Sequence, residues 1–450
     1  MSLIRKKMEA AGVSEVAIRA FEHNVGQLNS GARMMISEGE IRAVESLPHL
    51  DRLEVGERSE AADRALLKSV VLIKLNGGLG TGMGLQKAKS LLEVRDGMNF
   101  LDLTVRQILA LRDRTGVPPR FLLMNSFSTS DDTREHLLRY PELGRPESLE
   151  FLQSKAPKLD ARSHEPVVWQ TDPDHEWCPP GHGDLYPSIL GSGKLDELLN
   201  AGVRYAFVSN SDNLGATLDL DLLSYFATSD APFLMEVTAR TAADRKGGHL
   251  AVDANSGGLL LRESAQCPAE DSDSFQDINR HRYFNTNNLW IRLDALKAAL
   301  EAQGGFLPLA VICNEKTVDP RDKNSTRVIQ LEIAMGAAIS CFKGAMAIEV
   351  SRARFAPVKT TADLLTLRSD AYVVTDDSRL ELHPDRKGVP PVVKLDPAEY
   401  KLVDQLEAAT VNGVPSLLKC DSLEITGKVV FEAGAVFTGN VKLDASGKPD

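Results

Sequence analysis

KLNGGLGTGMGLQKAKS, residues 74–90, leaves the apolar run VVLIKL (70–75) and places five glycines within the eight positions 77–84. Lys87 and Lys89 follow where a helix or a second strand could begin. Backbone N–H groups converge in such a turn without side chains in the way, so the end of a buried strand becomes a place to hold phosphate. Neither common glycine fingerprint fits. A Walker A loop needs Gly-x4-Gly-Lys-Ser/Thr; only the Gly77–Gly82 pair has that spacing, and Met83 stands where the lysine is required. The dinucleotide pattern Gly-x-Gly-x-x-Gly fails at Met83 and again at Leu85. An ordinary glycine turn remains the alternative, and what lies downstream has to decide.

At 450 residues the chain suits two or three domains. A hydrophobic content of 43% and a charged content of 26% are those of a soluble globular protein. A net charge of −11 argues against a general nucleic-acid binder, while leaving room for a local basic pocket. Cys178, Cys267, Cys313, Cys341 and Cys420 are scattered and form no CxxC pair, the pattern of buried thiols in a reducing compartment without a zinc site. The start, MSLIRKKMEAAG, lacks the apolar core of a secretory signal, and no apolar run approaches membrane-spanning length. The expectation is a cytoplasmic protein with no nucleic-acid or membrane partner.

Residues 1–65 read as helical. Ile18, Phe21, Val25 and Leu28 recur at helical spacing behind Ser14 as N-cap, and Ser37 with Glu40 forms a capping-box pattern for a further helix. Over 66–375 strands and helices alternate. The runs at 70–75, 120–126, 204–210 and 231–239 are nearly continuously apolar, as strands buried on both faces require. Asn99 and Asp102 can cap a helix carrying Leu101, Val105, Ile108 and Leu109, and Leu331, Ala334, Met335 and Ala338 predict another. Such alternation implies a largely parallel sheet with helices on both sides and ligands at the carboxyl ends of the strands, where the glycine loop falls. Residues 376–450 differ. Leu423, Val429, Ala435 and Val441 are six apart, as are Ile425, Phe431, Phe437 and Leu443, the signal of a parallel β-helix, with a pair of alternating antiparallel strands as the alternative.

Several segments carry chemistry. Asp212, at the end of a buried strand, suits either an anchor for Mg²⁺ on a nucleotide phosphate or a cap for the 218–229 segment. His182, between two glycines in PPGHGD, suits a structural or a catalytic role. Lys246 beside Gly247 and Gly248, and Lys359 in APVKTTADLL, suit phosphate contacts or plain surface charge. The amides of FNTNNLW suit sugar hydroxyls or simple turns. Together these segments describe a nucleotide-and-sugar site.

The ordered set LNGGLGTGMG, LMNSF, PPGHGD, VSNSDNLGA, MEVT, KGG, FNTNNLW, VIQLE and PVKTTADLL resembles the UTP–glucose-1-phosphate uridylyltransferases of eukaryotic type, from about residue 36 onward. The resemblance implies an α/β fold: a Rossmann-like nucleotidyltransferase core of glycosyltransferase-A type over 66–375, an N-terminal helical region over 1–65, and a short left-handed parallel β-helix within 376–450. It implies the reaction UTP + glucose 1-phosphate ⇌ UDP-glucose + pyrophosphate, with Mg²⁺ as cofactor. Carried over position by position, nucleotide contacts fall on Leu75, Asn76, Gly77, Gly78, Lys89, Gln153, Gly181, Asn210 and Asp212, with Asp212 also the metal position. Gln153 would read uracil, whose paired acceptor and donor one carboxamide complements. Sugar-phosphate contacts fall on His182, Lys246 and Asn287, and the catalytic lysines on Lys359, Lys89 and Lys246.

Two departures stand out. Lys87-Ala88-Lys89 replaces the family's Gly-Pro-Lys, which implies a less constrained loop with an extra charge, and the coil pattern ends early, at Asp450. So short a coil is expected to dock on its own chain and leave a monomer or small homo-oligomer. A UDP-N-acetylhexosamine pyrophosphorylase is the nearest rival; that family places Arg after Gly-Thr, where this chain has Gly82-Met83 after Thr81. A silent sugar-nucleotide sensor is the rival of another class, and it would be marked by loss of Asp212 or the lysines.

Overall fold

The computed structural model describes residues 2–31, 35–54 and 56–446; the chain's end at Asp450 lies outside them. Among the described residues ten strands form the main sheet: β1 (Ile41–Ala43), β2 (Val70–Asn76), β3 (Arg120–Asn125), β4 (Glu150–Leu152), β5 (Tyr205–Asn210), β6 (Phe233–Ala239), β7 (His249–Asp253), β8 (Leu259–Arg262), β9 (Tyr283–Arg292) and β10 (Met346–Glu349). Their order is β1-β7-β9-β5-β2-β3-β4, with β8 beside β7 and β6 between β9 and β10.

The apolar run at 70–75 is β2, buried along its whole length at the middle of a parallel block β5-β2-β3-β4. Its side chains divide by the strand period of two. Val71, Ile73 and Leu75 pack on one face with Ile18, Phe21 and Tyr186, while Val70 and Leu72 pack on the other with Leu101, Val105 and Phe226. The sheet is mixed where the sequence predicts it largely parallel. FNTNNLW is the body of β9, which runs antiparallel to both β5 and β6, and only β6 with β10 restores a parallel pair on that side.

The local signals for helices hold where a cap and a stripe coincide. Ser14 accepts from the Ala17 N–H at the start of Glu15–Asn29, and Asn99 and Asp102 bond reciprocally at the start of Phe100–Thr115. Two helix expectations are corrected. Ser37 and Glu40 do pair, but they close one three-ten turn, Glu38–Glu40, and the chain continues as edge strand β1 on β7. Leu331, Ala334, Met335 and Ala338 are all buried, yet Leu331 lies on the strand Arg327–Ile333, Met335 and Ala338 on the three-ten segment Met335–Cys341, and Ala334 in the extended link between them. Pairing with Val311–Thr317, and the Ile333 N–H held by Pro180 O at 2.9 Å, overrides the helical spacing.

At the C-terminus β11 (Val392–Leu395), β12 (Ser416–Thr426) and β13 (Val436–Asp444) form a three-stranded parallel sheet. Leu423 lies opposite Val441 and Ile425 opposite Leu443, three six-residue sides apart. The period-six stripes therefore lie in register on neighbouring parallel strands. Their core is continuous with the glycine-loop part of the chain: Leu417, Leu423, Ile425 and Phe431 share a cluster with Met83 of the glycine loop, Phe100, Leu214 and Val358.

Candidate active site

β2 ends at Asn76, and the loop that follows is shaped by close approach. A Cβ on Gly77 would stand 2.4 Å from Gln153 Oε1, so only glycine lets that carboxamide lie against the loop. Gly80 and Gly84 take left-handed φ values of 69° and 80° around the turn Thr81–Met83, and Gly78 O accepts the Lys89 N–H at 3.0 Å, closing the loop on itself. Asn76 turns inward: its Nδ2 donates to Asn125 Oδ1 at 2.8 Å and to Thr133 Oγ1 at 3.0 Å. That side chain ties the ends of β2 and β3 together, and its own buried Oδ1 has no partner. Leu75 is the register partner of Asn210, so the residues expected to meet the nucleotide on β2 and β5 stand side by side. Gln153 donates through Nε2 to Gly181 O at 2.9 Å. Gln153, Gly77 and Gly181, distant in sequence, thus meet at one point.

Lys89 bridges loop and strand. Its Nζ donates to Asp212 Oδ2 at 2.5 Å and to Val358 O. Asp212 does not cap the following helix, since Asp219 accepts from Asp221 N and Leu222 N at the start of Leu220–Thr228. Its Oδ1 has no protein partner among the described contacts, and no group of three or more His, Cys, Asp or Glu is gathered among the described residues. One carboxylate with a free oxygen fits a cation that arrives on phosphate and keeps water ligands; it does not fit an all-protein cage. Ala88 is buried with φ −50°, close to the value a proline ring imposes, so the loop takes at this position a backbone angle that a proline could hold.

Around His182, Gly181 and Gly183 abut Ile333, where a Cβ would fall 2.5 Å from Ile333 O and 2.9 Å from its carbonyl carbon. His182 Nδ1 accepts the Met335 N–H at 3.0 Å, so the ring's own proton sits on Nε2. Burial pushes the imidazole down to about 4, which keeps it a neutral donor at pH 7. Asn287 has φ 58°, at the bulge in β9 opposite Glu236 and Val237, and its Oδ1 accepts from Asn285 Nδ2 at 2.9 Å. The bulge re-aims a side chain that a regular strand would tuck into the sheet. Lys246 and Lys359 are exposed, and neither ammonium bonds to a protein group among the described contacts. Glu263 lies against Gly248, where a Cβ would fall 2.4 Å from its Oε2, and Lys359 opposes the rise that burial gives its carboxyl.

Sequence reasoning missed the support beneath Lys359. Glu236, fully buried on β6, takes both arms of Arg354 at 2.8 Å, the Trp290 Nε1–H at 2.9 Å and Asn288 Nδ2 at 3.0 Å. Asn213 docks the segment that follows Arg354, accepting from Ala356 N at 3.0 Å and donating to Arg354 O at 3.1 Å. Gly215 lets this strap lie close, since a Cβ there would fall 2.3 Å from Ala353 O. Lys74 is buried under the loop on Ser209 Oγ and Ala216 O, both at 2.8 Å. Burial, then the Arg354 charge, push its amine down to about 7 against the pull of Asp212 and Glu236. The available signal was a lone charge inside an apolar strand, Lys74 in VVLIKL and Glu236 in FLMEVTA, which demands a partner from elsewhere in the chain.

Comparison with known proteins bears on this arrangement. The model of the UTP–glucose-1-phosphate uridylyltransferase family matches residues 18–437. The UTP–glucose-1-phosphate uridylyltransferase of Solanum tuberosum is 39% identical over 446 residues, 98% of this chain and 91% of the relative. That of Saccharomyces cerevisiae is 43% identical over 376 residues, 83% and 74% of the two chains. Among solved structures, a mutant UDP-glucose pyrophosphorylase from Leishmania major in complex with UDP-glucose is 48% identical with a TM-score of 0.92, over 98% of this chain and 97% of that one. UDP-glucose phosphorylase from Trypanosoma brucei is 49% identical with a TM-score of 0.91, over 98% and 94%.

Proposed function

The chain belongs to the UTP–glucose-1-phosphate uridylyltransferase family, and from that premise we propose the part each residue takes in the reaction. It is a nucleotidyltransferase that converts UTP and glucose 1-phosphate to UDP-glucose and pyrophosphate. A phosphate oxygen of the sugar phosphate forms a bond to the α-phosphorus of UTP, the α–β bridging bond breaks, and its electron pair leaves with pyrophosphate. The nucleophile is already anionic, so no general base is needed, and the absence of a Ser-His-Asp arrangement among the roles above costs nothing. What the site supplies is alignment and cancellation of charge.

The observation that carries this reading is Lys89, fixed to the glycine loop through Gly78 O and to Asp212 through its ammonium. The loop from Leu75 to Gly78, with Asn210, holds the nucleotide. Gln153 and Gly181 O read the uracil edge, the Nε2–H of His182 and the Asn287 amide hold the sugar phosphate, and Lys89, Lys246 and Lys359 balance the phosphate charge. Asp212 would hold Mg²⁺, which supplies Lewis-acid stabilisation of the phosphate oxygens. The finer fold assignment belongs to the same proposal: a glycosyltransferase-A-type core over 66–375, an N-terminal region over 1–65, and a left-handed β-helix within 376–450. Among the described residues no helix is long and apolar enough to cross a membrane. A cytoplasmic monomer or small homo-oligomer completes the proposal.

Pyrophosphate release from UTP, measured with the 1-phosphates of glucose, galactose and N-acetylglucosamine, tests it. Glucose 1-phosphate should be used best, with Mg²⁺ required. Asp212→Ala should lose on the order of 10²–10³ in rate while remaining folded. A fully active Asp212→Ala protein would overturn the metal assignment.

A further inference from the structure

A cleft of about 430 Å³ opens beside the glycine loop, between Gly82–Met83, the turn carrying Lys359 and Thr360, and the C-terminal segment carrying Lys394 and Lys401. Its charged lining consists of those three lysines alone, in a chain with 63 acidic and 52 basic residues. None of the three ammonium groups bonds to a protein group among the described contacts. Two nearby acids, Asp363 and Asp396, are already engaged by backbone and hydroxyl donors. Asp363 Oδ2 accepts from Lys359 N, Thr360 N and Thr360 Oγ1, and Asp396 accepts from Gly427 N and Ala398 N. A second cleft, of about 400 Å³, shows the contrast: there Arg58 and Arg379 already hold Asp221 and Asp377 at 2.7 and 2.9 Å.

Three like charges around one opening repel each other unless an anion sits between them. They are also held in place. A Cβ on Gly84 would meet Leu402 at 3.2 Å, so the glycine loop rests on the residue next to Lys401. Tyr400, on its other side, is buried and accepts the Val429 N–H at 2.7 Å through its hydroxyl. Lys394 lies on β11, paired with Glu424 of β12. The cleft therefore keeps a fixed relation to the loop that the proposed function assigns to the nucleotide.

We propose, resting on that function, that this cleft receives a diphosphate: the β- and γ-phosphates of UTP and the pyrophosphate they become. Lys359 faces both the transferred group and the leaving group, and Lys394 with Lys401 completes the leaving-group site. The C-terminal segment then belongs to the active site. As the α–β bond breaks, the charge gathering on pyrophosphate falls among three cations whose ammonium groups bond to no protein group among the described contacts.

The test runs the reaction backwards in the full-length chain, varying pyrophosphate at saturating UDP-glucose. The double variant Lys394→Ala/Lys401→Ala should raise KM for pyrophosphate about tenfold or more, and KM for UTP in the forward direction similarly, since each lost contact is to a charged group. KM for UDP-glucose should stay within about twofold, and the difference should shrink at high salt. A folded double variant with unchanged KM for pyrophosphate would overturn the proposal, as would equal losses for pyrophosphate and UDP-glucose. A rise for pyrophosphate with none for UTP would overturn the shared site. Calorimetric titration with inorganic pyrophosphate alone separates this from the function it rests on. If the parent chain fails to turn over UDP-glucose and pyrophosphate, the uridylyl-transfer reading falls. The cleft then stands if the parent binds pyrophosphate and the variant loses it, and falls if the two behave alike.

Discussion

Asn213→Ala puts the support of Lys359 to the test. The substitution removes the acceptor of the Ala356 N–H and one of the two donors on Arg354 O, the other being Asn288 Nδ2 at 3.2 Å. It also removes the bond to Asn288 Oδ1 at 3.2 Å. A neutral hydrogen bond contributes about 1 kcal/mol and a stranded buried donor costs about 1–3, so the strap loses about 2–4 kcal/mol of docking energy. Arg354 remains clamped to Glu236, so the strap pivots beyond residue 354 while the fold survives. A catalytic group displaced by about 1 Å costs on the order of 10² in rate, and Val358 O, which orients Lys89, moves with it. Turnover should therefore fall about a hundredfold, with the number of UTP sites per chain unchanged by calorimetry. The decisive measurement is a double-mutant cycle: on a Lys359→Ala background most of the Asn213→Ala effect should vanish, because the two act as a unit. If the two losses simply multiply, Asn213 stabilises the fold without positioning Lys359, and the reasoning fails.

Gly77→Ala should expel the Gln153 carboxamide, whose oxygen lies 2.4 Å from the new Cβ, and weaken UTP as much as Gln153→Ala does, about 5- to 100-fold for one base contact; wild-type UTP affinity in a binding titration would refute the placement of Gln153. Lys74 gives up its proton near 7 when folded and near 10.5 when unfolded, so between those values the unfolded chain binds more protons. Stability should rise from about pH 7 to 10.5 and be lost as the pH falls through that window, and Lys74→Met should flatten the slope in urea melts at pH 7, 8 and 9. Ala88→Pro should raise the melting temperature by the equivalent of about 0.4–1 kcal/mol, because φ is already −50° and the Ala88 N–H makes no hydrogen bond among the described contacts; a lower melting temperature would show that the buried site has no room for the ring.

Where a local pattern was backed by burial on the same residues, the sequence alone determined the outcome, as it did not for the lone capping box at Ser37 and Glu40. Continuous apolar runs marked β2, β3, β5 and β6 because a strand covered on both faces admits little else. Ser14 and Asn99 marked helix starts because a cap is a bond between neighbours, and period-six stripes marked residues that come to lie opposite one another on parallel strands. The glycine loop was legible for the same reason, since close backbone approach excludes side chains whatever the partner proves to be. What depended on distant partners was decided only in the tertiary structure. Arg327–Ile333 is a strand because Val311–Thr317 and Pro180 are there to pair with it, and no local pattern records that. Asn287 takes a left-handed φ where the register with β6 shifts, and no local pattern announces that bulge. Glu236, Arg354 and Asn213 form one polar network from three separate stretches of chain, held together because a buried charge left without its partner would cost several kcal/mol. Local chemistry names the groups at this site, and long-range pairing sets where they point, because the desolvation cost that enforces the pairing exists only once the chain has closed around them.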